Sequence, residues 1–62
     1  MIRYAVIKLW PVHPEQSYER LFTESLKTGF EDIREAEAYR VKTISLNGYE
    51  PDTVQVLQYR AG

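Results

Sequence analysis

Cysteine is missing from this sequence, which excludes disulfide staples and any zinc site built on thiolates. Histidine occurs once, at His13, so a histidine-rich metal centre and a serine–histidine relay both lack their usual parts. Gly29, Gly48 and Gly62 stand too far apart to form a phosphate-cradling loop. Net charge is almost missing as well. Eight Lys and Arg against nine Asp and Glu leave −1, which gives no global attraction to nucleic acid or anionic membranes. Long apolar runs are missing too. The longest, Tyr4 to Val12, is broken by Lys8 and is about half the length a transmembrane helix needs. The first residues do not read as a signal peptide, because Lys8 interrupts the apolar region and no small-residue cleavage site follows. The expectation is a cytoplasmic protein without membrane contact, metal or cofactor.

What is present supports a packed core. Hydrophobic residues make up 44% of the chain and aromatics 13%, unlike a disordered tail. A length of 62 residues bounds the chain to a single α+β domain, 1–62. Such a domain buries only about 60% of its unfolded surface. With no disulfide or metal to help, self-association is the expected support.

Four segments organise the chain. Ile2 to Trp10 is rich in β-formers and reads as a strand, ended by Pro11 and Pro14. Pro14 to Thr28 reads as a helix. Pro14 and Glu15 suit its first turn, and Tyr18, Leu21, Phe22 and Leu26 recur at helical spacing. Lys27 and Gly29 suit its end. Residues 37–46 read as a strand, because Tyr39, Val41, Ile44 and Leu46 scatter around a helical wheel and favour β structure, whereas 31–36 stays open. Thr53 to Arg60 is a further strand, and Asn47-Gly48 with Pro51-Asp52 supplies turn chemistry for a hairpin. The expected fold is β-α-β-β, an antiparallel three-stranded sheet with one helix on one face. The alternative is β-β-α-β, with 17–25 as a strand and 32–45 as the helix.

A single helix covers one face of such a sheet and leaves the other open. Tyr4, Val6, Trp10, Leu57 and Tyr59, beside Lys8, Arg40 and Lys42, are the expected amphipathic interaction face. Catalysis has little support. His13 sits in a loop between prolines, and the acidic segment Glu31, Asp32, Glu35 and Glu37 reads as solvated rather than as a split carboxylate pair.

The expected strand–helix–hairpin order and the chain length, with Ser17-Tyr18-Glu19 at the helix start and Asp32-Ile33-Arg34 entering the second strand, resemble the dodecins. These are small βαββ proteins that assemble into flavin-storing shells. Dodecins stack flavin on a tryptophan near the position of Ala36, whereas Trp10 is the only tryptophan here, so the resemblance implies assembly and no flavin site.

Three functions follow. The first is a non-enzymatic binding or scaffold protein that self-associates through the sheet. The second is a small regulatory or inhibitory protein that docks on a larger partner through the acidic segment. The third, ranked below protein binding, is single-stranded nucleic-acid binding through Lys8, Arg40, Lys42 and the tyrosines.

Overall fold

The computed structural model describes residues 1–12 and 20–62. Strand β1 (Ile2–Val12) and strand β2 (Arg20–Phe30) are followed by helix α1 (Ile33–Asn47), a short 3-10 turn (Pro51–Thr53) and strand β3 (Val54–Arg60). The sheet order is β2-β1-β3, antiparallel throughout. The chain is thus α+β, with a three-stranded antiparallel sheet and one helix on one face, and its order is the alternative, β-β-α-β.

Three element placements need correction. The segment expected as a helix to Thr28 is strand β2 from Arg20 onward, whereas His13, Pro14, Glu15, Ser17, Tyr18 and Glu19 lie outside the described residues. The helical spacing of Leu21, Phe22 and Leu26 is a coincidence of sequence, since Phe22 and Leu26 are four residues apart and fall on one face by ordinary strand alternation, and the irregularities of β2 come later. Opposite the step from Val6 to Ile7 in β1, β2 runs from Lys27 to Ser25, and opposite Tyr4 to Val6 it runs from Phe30 to Lys27. Each irregularity breaks the two-residue period of a strand.

The segment 37–46, expected as a strand, belongs to α1. Asp32 caps its start, accepting from the Arg34 N–H at 2.8 Å. Gly48, at φ 67°, closes its end in the left-handed conformation that glycine adopts without strain. Asn47-Gly48 is thus a helix stop rather than a hairpin turn, and Asp32-Ile33-Arg34 opens the helix rather than a strand. The expected hairpin between 39–46 and 53–60 is replaced by pairing of β3 with β1.

Pro11 does not end β1, which continues to Val12. Pairing with β3 stops at Lys8, so beyond it one side of β1 has no neighbouring strand among the described residues and proline is tolerated.

The core lies between α1 and the sheet. Val6, Val54 and Ala36 are fully buried there, with Tyr4, Leu26, Phe30, Tyr39, Ile44, Tyr49 and Val56 packed around them. Arg40 fastens the helix to β3. Its guanidinium donates to the carbonyl oxygens of Val54 at 2.7 Å and Pro51 at 2.8 Å.

Candidate interaction surface

Directly paired residues of an antiparallel sheet point to the same face. The register therefore divides the side chains into two sets. Tyr4, Val6, Lys8 and Trp10 of β1 share the helix-covered face with Val54, Val56 and Gln58 of β3 and with Phe22, Glu24, Lys27 and Phe30 of β2. Arg3, Ala5, Ile7 and Leu9 share the open face with Tyr59, Leu57 and Gln55 and with Ser25 and Thr23.

The interaction face expected from the sequence is consequently split. Tyr4, Val6, Lys8 and Trp10 are under the helix side, Leu57 and Tyr59 are on the open side, and Arg40 and Lys42 are on α1. Assigning residues 37–46 to a strand is what placed the last two wrongly. Of the expected cations, Arg40 is committed to backbone carbonyls, whereas Lys42 is exposed.

Lys8 is buried in an aromatic corner. Its ammonium lies 4.0 Å from the Trp10 ring centre and 5.1 Å from that of Tyr49, and it donates to the Leu9 carbonyl oxygen at 2.9 Å. Trp10 and Tyr49 meet edge to face at 5.8 Å, and the Trp10 indole N–H donates to the Glu24 carboxylate at 2.9 Å. The rings supply the negative potential that a buried ammonium otherwise lacks. At the other end of this face Lys27 stands 5.5 Å from both Phe30 and Tyr39.

The acidic segment is partly engaged in local structure. Glu31 pairs with Arg3 at 3.5 Å. The Arg34 side chain hydrogen-bonds Asp32 at 3.0 Å, and this bond, with the one from the Arg34 backbone N–H, holds the Asp32 carboxyl below its ordinary value. Glu35 and Glu37 are exposed on α1. Among the described residues no group of three or more His, Asp or Glu side chains gathers, and no cavity opens.

The open face has a different chemistry. Arg3 is the only charged residue in the set, and it turns to Glu31. Ala5 and Ile7 are buried among their neighbours, whereas Leu57 beside them is 49% exposed. Tyr59 reaches over the central strand, where its hydroxyl accepts from the Gly29 N–H at 3.0 Å. Ala5, Ile7 and Leu9 were not singled out in the sequence, although their alternation with Val6 and Lys8 carried the signal. Comparison with protein families, curated proteins and solved structures returns no match. Among the described residues no helix is long and apolar enough to cross a membrane.

Proposed function

We propose that the chain is a non-enzymatic binding protein of the scaffold kind, which self-associates through the sheet. The contact surface is the open face rather than the mixed set expected from the sequence. The observation that carries this reading is the charge-poor strip of Ala5, Ile7, Leu9, Leu57 and Tyr59, with Leu57 half exposed. A solvated face of an antiparallel sheet is normally polar, and an apolar one marks a contact surface. The flanking residues Thr23, Ser25 and Gln55 are short or uncharged and suit a rim.

The two other readings have less behind them. Docking through the acidic segment has to draw mainly on Glu35 and Glu37, because Glu31 and Asp32 already have basic partners. Nucleic-acid binding has to dispense with Lys8 and Arg40, which are held by aromatic rings and carbonyls.

Light scattering on a sizing column tests the proposal. The expected mass is a multiple of 7.3 kDa, and Leu57→Ser is expected to lower it. A wild-type chain that runs at 7.3 kDa at every concentration would reject self-association.

A further inference from the structure

Among the described residues the sheet has two unpaired edges, and they differ. The β2 edge carries both register irregularities, and Gly29 there has a φ of 85°. Bulges of this kind twist an edge away from further pairing and are a common protection against it. The β3 edge has none of these devices. Its pairing with β1 runs without a shift from Ile2 opposite Arg60 to Lys8 opposite Val54. Val54 to Tyr59 includes no charge, no proline and no glycine. Only its beginning is occupied, since the Val54 carbonyl accepts from Arg40.

We infer that two copies of the chain pair antiparallel along β3, so that one continuous sheet runs through both. This rests on the reading of self-association above and adds to the open-face contact a second, separate one along the β3 edge. The sequence of β3 is self-complementary about its central residue, Leu57. With a two-fold axis there, Leu57 meets the partner's Leu57, Gln55 meets the partner's Tyr59, and Val56 meets the partner's Gln58. Arg60, the one charged residue of the strand, faces the partner's Val54, so no like charges oppose each other. The same axis keeps both open faces on one side and joins their apolar strips across the seam. An unrelated extended peptide would satisfy the backbone of β3, but it would not pair Leu57 with a second Leu57. A second copy is therefore the occupant that fits.

Single-cysteine variants test the seam cleanly, because the chain has no cysteine of its own. Across an antiparallel pair, directly opposed Cα atoms lie about 4.5–5.5 Å apart. A disulfide needs about 4.4–6.8 Å. Two sheets stacked by their faces would instead lie about 10 Å apart, too far for it. Leu57→Cys, at an exposed position, should therefore oxidise fully to a disulfide dimer. Thr23→Cys on β2, distant from the seam, should stay reduced. Circular dichroism on both variants checks that the fold is kept. If the wild-type chain is a dimer by light scattering and Leu57→Cys does not cross-link, the β3 seam is wrong while self-association stands. If the wild-type chain is a monomer, both fail.

Discussion

On the helix-covered face, Lys8, Lys27 and Glu24 sit among Trp10, Tyr49, Phe30 and Tyr39. The opposite face carries Ala5, Ile7, Leu9 and Leu57, uncharged polar neighbours and the single Arg3. Of these three charges only Lys8 is buried, whereas Glu24 and Lys27 are exposed, so the unusual features are one buried cation and an opposite face almost free of charge. The inner side of α1 is mixed, with Arg40 and the buried Thr43 beside Ala36, Tyr39 and Ile44, and the Asn47 amide donates to Thr43 at 2.9 and 3.1 Å. Buried charge is tolerated where aromatic rings or carbonyls receive it. Among the described residues no helix covers the aliphatic face. In this reading the covered face sets the fold, and the open face sets the association.

The largest expected effects separate these two roles. Val6 is fully buried at the centre of the covered face. Val6→Ala should cost about 2–3 kcal/mol of stability in urea denaturation, from lost burial and the cavity left behind. It should leave the association of the folded chain unchanged. Leu57→Ser should do the reverse, with a change within about 0.5 kcal/mol in the dilute monomer but a fall in mass at high concentration. If both variants moved both quantities together, the division between the faces would collapse.

Arg40 comes next. Its hydrogen bonds to Val54 and Pro51 join α1 to the start of β3, and charge-assisted bonds of this type contribute about 1.5–3 kcal/mol. Arg40→Ala should lose an amount in that range. Arg40→Lys should recover only part of it, because a single ammonium does not reproduce the two-pronged guanidinium geometry. Full recovery by lysine would mean that the charge, rather than the geometry, fastens the helix.

The mixed inner side of α1 also bears on what was legible in the sequence. The outer limits of β1 and β3 follow from their β-branched and aromatic residues, and the strands match the expected segments closely. Helix α1 was obscured because Arg40 and Thr43 lie among its inward residues while Val41 and Leu46 are exposed, so its apolar residues trace no clean stripe. Its caps were better guides: Asp32 at the start and Gly48 at the end bracket the helix. Strand β2 was obscured because Leu21, Phe22 and Leu26 fall by coincidence at helical spacing, and because its bulges, which bring Leu26 and Lys27 to the same face, break the two-residue period of a strand. The open face became legible only with the register, because the faces of β1 both carry large apolar groups.

Lys8 should matter less than Arg40. Lys8→Met removes a contact between ammonium and ring, but it also removes the cost of burying the charge. The two effects oppose, and the net change in unfolding free energy should stay below about 1 kcal/mol. A loss as large as that of Arg40→Ala would mean that the aromatic corner depends on its resident cation.

The smallest expected effect concerns Asp32, and pH isolates it. The bonds from Arg34 lower the folded-state pKa of Asp32 below its ordinary value. Its carboxylate therefore contributes stability above the unfolded value of about 3.9, and this is lost as pH falls through the folded value. Asp32→Asn keeps an oxygen that can accept from the Arg34 N–H, so the cap survives while the ionic contact is lost. The melting temperature of the wild type should exceed that of Asp32→Asn slightly near neutral pH. The gap should close in acid and shrink with added salt, as for any exposed ion pair. No gap at any pH would mean that Asp32 acts through its cap alone, and the helix start would then owe nothing to charge.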